Sequence, residues 1–556
     1  MTEKLPMSSH DLWRLRFVGD PQVSPDGRRI VYVETRVVPE KNGYASTLWM
    51  AELQSDGTWS TRPFTRPVWT DKPVRDHLPR WSPDGRYISF LSNRSGKTGL
   101  YIIPAAGGEA RLLLEREVPI AETTWSPDGS RIAFVSRAPE KLKPQYLAFR
   151  GLGAAGEKPR WEGKELPAPT IAHVTRLRYK FNGAGLLDER HAHLFIVDIN
   201  SGEVRQLTSG PYDHHQPAWS HDGKYLAFTS ARRPDRELVG LADLYVFSLE
   251  EGTETRIVTA AGPIINPTWS PDDQLIAYLG HEQGEVSFAN LRVYIVPCTG
   301  GTVRCLTADF DRSAGNSVGT DTRFDAGKPG PFWSADGGAL YFIATDGGHS
   351  QVYRVDLVSS QLTRLPAEPG VVTSLALQPG QKGDTQTLAL TGADWDYPGD
   401  IFAGHLDASG ELTTLQRVTA VNAELLQNRL LSRPERFEFQ TFDGQPMEAW
   451  LIKPIGFKEG RVYPVILEIH GGPAATYGDV FFHEFQVLAA RGYGVLFTNP
   501  RGSKGYGEAW ARGVVGDWGG GDYADLMACV DYAVQHFPWI DPDRLGVTGG
   551  SYGGFM

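Results

Sequence analysis

Near one end of the 556-residue sequence, Gly549, Ser551 and Gly553 stand in the spacing G-x-S-x-G. A serine hydroxyl is a weak nucleophile unless it is exposed and a base takes its proton. This spacing presents one: the serine sits on a strand-to-helix turn so tight that its neighbours two away must lack bulky side chains. Residues 544–548 (Arg-Leu-Gly-Val-Thr) read as a short buried strand leading into that turn. Where this turn is catalytic, an orienting acid and a base histidine follow the serine in the chain. Both are expected past Met556, so the sequence reads as a hydrolase interrupted just after its nucleophile.

Attack by Ser551 on a carbonyl would create an oxyanion, which preorganised N–H groups must hold. Residues 465–470 (Val-Ile-Leu-Glu-Ile-His) read as a buried strand running into Gly471-Gly472-Pro473, an HGG-type loop. The N–H of Gly472 and the N–H of Tyr552 are the expected donors. His470 precedes the nucleophile and ends a strand, which suits a structural histidine rather than the base.

These groups need a scaffold. Residues 437–442 and 447–454 flank an Asp443-Gly444 turn and read as two strands opening a sheet. Residues 481–491 read as a helix and 494–499 as the next strand. A helix follows over 522–534, with Tyr523, Leu526, Met527, Val530 and Val534 on one face. Strands alternating with helices predict a mostly parallel sheet covered on both faces.

The first four hundred residues are different. Ser24-Pro-Asp-Gly, Trp81-Ser-Pro-Asp-Gly, Trp125-Ser-Pro-Asp-Gly, Trp219-Ser-His-Asp-Gly, Trp269-Ser-Pro-Asp-Asp and Trp333-Ser-Ala-Asp-Gly are copies of one turn. Proline sets φ, aspartate bonds its own backbone and glycine accepts positive φ. Each copy predicts a hairpin, and apolar runs such as Leu48-Trp-Met and Leu244-Tyr-Val-Phe predict a second hairpin after it. The second hairpin recurs seven times; the seventh first hairpin is expected in the degenerate runs from Ser374 and Gln386. Two hairpins make a four-stranded blade, and seven blades close a β-propeller. One blade carries a long insertion between Ser136 and Leu194, expected either to line a route to the active site or to serve as a structural flap. Glu250-Glu251 falls on a repeat turn and is expected to be solvated rather than to hold a substrate amine.

The fold class is therefore multidomain: an all-β seven-bladed propeller followed by a C-terminally incomplete α/β-hydrolase domain. The expected division is an N-terminal segment over 1–19, propeller over 20–421, and the N-terminal part of the hydrolase domain over 422–556. Sixty-two glycines and 38 prolines suit so many turns. A net charge of −11, without long blocks of one sign, argues against nucleic acid or an anionic membrane as partner. No stretch reaches the roughly 18 apolar residues of a membrane span, and the N-terminus lacks a signal-peptide core. A reducing, cytoplasmic location is expected, with Cys298, Cys305 and Cys529 as free thiols. His191, His193 and Asp213-His214-His215 are expected to be solvated loop residues rather than a metal site, and no cofactor motif is present.

The blade repeat followed by HGGP (470–473), NPRGSKGYG (499–507) and GGSYGGF (549–555) resembles the prolyl oligopeptidase family of serine peptidases. Within it, residues 499–507 and 176–197 are most similar to the acylaminoacyl-peptidase-like branch. The resemblance implies hydrolysis of short peptides, with the propeller limiting access by large proteins. It implies Ser551 as nucleophile and Gly472 and Tyr552 as oxyanion donors. The family's Asp and His find no position in this sequence. The parent protein is expected to be longer by on the order of 100 residues; a separate C-terminal remainder bound as a second chain would serve equally. Two other readings stand: an α/β-hydrolase acting on esters, and a catalytically inactive propeller that binds peptides. Side-chain specificity and oligomeric state, a homo-oligomer included, stay open.

Overall fold

The computed structural model describes residues 4–66, 72–116, 118–138, 160–161, 164–165, 177–181, 185–187, 190–323, 327–379 and 385–556. Most of the insertion between Ser136 and Leu194, including Arg176, lies outside the described residues.

The described residues form seven antiparallel four-stranded blades. Five are separate sheets, with inner strands Arg16–Val23, Asp76–Trp81, Ile120–Trp125, His214–Trp219 and Ile264–Trp269. The sixth and seventh blades join into one nine-stranded sheet through a single parallel pair, Ser350 with Val371. The first blade already begins at Arg16.

The repeat's chemistry explains the blades. In all six copies the serine Oγ donates to the aspartate Oδ1 two residues on, at 2.5–2.7 Å. That oxygen also accepts a backbone N–H, from Arg28, Arg86, Ser130, Lys224, Gln274 or Gly338, so the turn closes on its own side chains. The tryptophan then ties the blade to its predecessor. Trp81 Nε1 donates to Gln22 O, Trp125 to Arg80 O, Trp219 to Thr124 O, Trp269 to Ala218 O and Trp333 to Thr268 O. In the seventh blade Gln378 stands where the serine would be, and its Nε2 donates to Pro25 O of the first blade at 3.0 Å. Val18, Val23, Ile30 and Tyr32 pack there against Ala376, Ala389, Ile401 and Ala403, closing the ring through side chains.

Three expectations are settled in the propeller. Glu250 and Glu251 lie on an exposed turn, and Cys298 and Cys305 are free, as is Cys529 in the second domain. The histidines, however, are not solvated loop residues. His191 and His193 lie in strand His191–Asp198, His214 begins strand His214–Trp219, and all three are buried. His214 is held between Ala192 O and the Arg232 guanidinium, and its ring packs on His193, so blade pairing rather than solvent receives them.

The second domain is a five-stranded sheet of β1 (Pro434–Gln440), β2 (Pro446–Ile452), β3 (Tyr463–Ile469), β4 (Gly494–Thr498) and β5 (Ile540–Gly549), in the order β1-β2-β4-β3-β5. The β4-β3 and β3-β5 pairs are parallel, the other two antiparallel. Helix α1 (His483–Ala490) packs on one face with Trp450, Val495 and Phe497. Helix α2 (Gly521–His536) covers the other.

Residues 544–548 form the strand read from the sequence, and with no strand beyond it among the described residues β5 is an edge strand whose Leu545 and Val547 are 43% and 62% exposed. One detail departs from expectation. Tyr523 and Met527 are exposed, because α2 turns Asp522, Asp525, Leu526, Cys529 and Ala533 inward. The inward carboxylates have partners: Asp525 takes the Arg501 guanidinium and Asp522 takes Tyr552 Oη.

The tryptophan ties give a test. Trp269→Phe leaves Ala218 O without its donor and opens space in a buried site, so it should destabilise by about 1–3 kcal/mol. A urea-unfolding midpoint lowered accordingly is the expected result.

Candidate active site

Ser551 joins β5 to a short helix, α3 (Tyr552–Phe555), with φ 56° and ψ −117°. That is a strained conformation for a residue with a side chain, and such strain persists only where the surroundings over-determine it. They do so here through β3. A Cβ on Gly553 would lie 1.9 Å from Ile469 O, and one on Gly549 would lie 2.5 Å from the same oxygen. Only glycine fits at either position, so both glycines of the motif answer to one carbonyl. Ser551 is left exposed, and no hydrogen bond to its Oγ is present among the described residues.

Tyr552 fixes the far side of the turn. It is 2% exposed, and its Oη donates to Asp522 Oδ2 at 2.5 Å. Asp522 Oδ1 accepts the N–H groups of Gly519 and Tyr523, both at 2.9 Å. Burial and the Asp522 hydrogen bond push the Tyr552 phenol far above its ordinary value, so it stays protonated.

The loop after β3 comes up beside the serine. A Cβ on Gly471 would sit 3.4 Å from Ser551 Cβ and 3.9 Å from its Oγ. Gly472 has φ +121°, which calls for glycine, and its peptide bond to Pro473 is cis. Neither Gly472 N nor Tyr552 N donates to a backbone carbonyl among the described residues. His470 does not approach Ser551 as a base: it is buried, with Nδ1 facing Gly471 O at 2.8 Å and Nε2 facing Ser503 Oγ at 2.9 Å. Burial pulls its imidazole down to about 4, so it is neutral at pH 7.

A cavity of about 490 Å³ lies beside the turn, lined by Gly549, Gly550, His470, Tyr477 and three carboxyl groups, Glu468, Glu484 and Asp321. Glu468 is 3% exposed, and its Oε1 has no hydrogen-bond partner among the described residues. Burial raises its carboxyl to about 8, with Glu484 and Asp321 adding to the rise. Sequence reading missed this group; its one trace is a glutamate inside the otherwise apolar β3. It missed Asp522 and Asp321 as well, whose partners are distant in sequence. Among the described residues, no group of three or more His, Cys, Asp or Glu is placed to hold a metal ion.

Comparison with known proteins bears on the family and the fold. The profile of the Prolyl oligopeptidase family matches residues 479–556. That of "Acylaminoacyl-peptidase, N-terminal beta-propeller domain" matches residues 163–382. The "uncharacterized peptidase YuxL" of Bacillus subtilis (strain 168) is 34% identical over 99% of this chain and 79% of its own length. Dipeptidyl-peptidase 5 of Porphyromonas gingivalis is 24% identical over 97% of this chain and 74% of its own. Among solved structures, an acylaminoacyl peptidase in complex with Z-Gly-Gly-Phe-chloromethyl ketone superposes with a TM-score of 0.76 at 21% identity, covering 99% of this chain and 76% of that one. A Mycobacterium tuberculosis puromycin-hydrolyzing peptidase gives 0.68 at 19%, covering 100% and 78%.

Glu468 yields a pH prediction. A carboxyl raised in the folded chain binds its proton more tightly there than when unfolded, so it lowers stability as pH rises from its ordinary 4.5 to about 8. Glu468→Gln, neutral throughout, should match the wild-type melting temperature near pH 4 and exceed it at pH 9.

Proposed function

The chain belongs to the prolyl oligopeptidase family of serine peptidases, and from that membership we propose a mechanism in which Ser551 opens an amide bond in short peptides. The observation that carries the reading is the strained φ and ψ of Ser551, imposed by two glycines against Ile469 O and leaving Oγ exposed beside the Gly472 loop. Ser551 Oγ attacks the scissile carbonyl carbon, and its proton passes to an imidazole. The carbonyl oxygen becomes an anion facing the N–H groups of Gly472 and Tyr552. The proton then moves to the leaving amine, the C–N bond breaks, and water hydrolyses the acyl-enzyme.

Among the described residues no imidazole reaches Ser551 Oγ. In this reading the base and its orienting acid come from polypeptide beyond residues 1–556, in the same chain or bound as a second one. The substrate class follows the relatives: the names of acylaminoacyl peptidase and dipeptidyl-peptidase 5 point to release of a blocked residue or a dipeptide from a short peptide.

In the natural protein, Ser551→Ala should lower peptide hydrolysis by roughly 10⁴-fold or more with the fold retained. Residual turnover close to wild type would exclude Ser551 as the nucleophile, and ester turnover without amide turnover would favour an esterase. The 556-residue chain alone should show no peptidase turnover, in a discontinuous assay of peptide amides; sustained release of product would place the base within it.

A further inference from the structure

Between the Gly472 loop and helix α1, residues 473–482 form no regular element, so their backbone polar groups must find partners elsewhere. They find many in the propeller. Thr476 N donates to Ser317 O at 3.0 Å, and Thr476 O accepts Gly319 N at 2.9 Å, an isolated parallel β-bridge centred on Val318. Asp479 N donates to Gly348 O at 2.9 Å. Thr320 Oγ1 donates to Phe481 O at 2.6 Å. Asp321 then caps α1, its two carboxylate oxygens accepting His483 N and Glu484 N, both at 2.8 Å. All five of these propeller residues come from the sixth blade or the segment threaded through it.

Further groups of the segment are held by the 499–506 loop, which is itself moored to the propeller. Tyr477 N and O bond the Asn499 amide, and Ala475 O accepts Lys504 N at 3.0 Å. Lys504 Nζ donates to Phe288 O and Ala289 O at 2.9 and 2.7 Å, and Gly505 O accepts Gly347 N at 2.8 Å. The tightest approach is between glycines: a Cβ on Gly478 would lie 1.9 Å from Gly348 O.

We infer that the sixth blade is a positioning element for catalysis, holding the loop that carries Gly472 through Ser317, Gly319 and Gly348. This rests on the assignment of Gly472 as an oxyanion donor. In this account the propeller does more than screen substrates. An oxyanion donor must be preorganised, and an ångström of misplacement costs on the order of 10²-fold in rate. Separation of the two domains would therefore relax the oxyanion site even with Ser551 and its base intact.

The test uses the natural protein and the 556-residue chain in parallel. Gly478→Ala forces the two backbones apart, and Gly319→Pro removes the N–H that bonds Thr476 O. Both should lower kcat roughly 10- to 100-fold with KM changed less than threefold. Inhibition by a peptide aldehyde, whose adduct places an oxygen in the same site, should weaken in parallel. Gly319→Ala, which keeps the N–H and would meet Thr476 O at an ordinary 3.7 Å, should restore most of the rate lost in Gly319→Pro. In the 556-residue chain, hydrogen exchange of the amides of residues 474–480 should accelerate in both disruptive variants while β3 and β4 keep their protection. Unchanged kcat and exchange, or protection lost uniformly across both domains, would overturn the inference. If Ser551→Ala abolishes hydrolysis while these variants leave kcat unchanged, the positioning role fails and the nucleophile stands.

Discussion

The carbonyl oxygen of Ile469 is the point on which the active-site geometry depends. It ends β3, and Gly549 and Gly553 both press against it at distances that exclude any side chain. The contact bends the chain sharply after β5 and holds Ser551 in a conformation that a free peptide would leave. The same strand continues directly into His470 and Gly471, so the carbonyl that shapes the nucleophile's turn also sets where the Gly472 loop begins. Nucleophile and oxyanion donors are thus referenced to one position in the sheet.

The propeller is built by another economy of means. Six of the seven blades carry a serine and an aspartate that close the first turn, and five of those six carry a tryptophan that bonds the blade before it. The ring is therefore assembled from nearest-neighbour bonds of one type, ending where Gln378 reaches Pro25 and apolar side chains of the first and seventh blades meet. The sixth blade departs from the pattern: its inner strand is split into Ser313–Ala314 and Phe332–Trp333, and residues 317–321, after the first piece, bond the hydrolase domain. The break in the repeat is one place where the two domains are joined, and the fifth blade adds another through Phe288 and Ala289.

What the sequence disclosed follows from the range over which each interaction acts. The blade turns were legible because serine, proline, aspartate and glycine do their work within six residues. The G-x-S-x-G turn was legible because its glycines answer a local crowding, although the oxygen that crowds them belongs to another strand. Partners distant in the chain stayed hidden. The inward face of α2 was misread because the partners that let Asp522 and Asp525 turn inward, Tyr552 and Arg501, lie elsewhere in the chain. His193 and His214 looked like loop residues because their burial depends on how two blades meet. The hold of the sixth blade on residues 476–484 is made largely of backbone groups, which leave no trace in residue types.

The central claim is that Ser551 is the nucleophile presented by this geometry. The most direct measurement is mass-spectrometric mapping of the site modified when the natural protein is inactivated by a fluorophosphonate. The account predicts one phosphonyl group per chain, on the peptide containing Ser551, appearing in step with loss of peptide hydrolysis. A modified residue elsewhere, or complete inactivation with Ser551 unmodified, would contradict it.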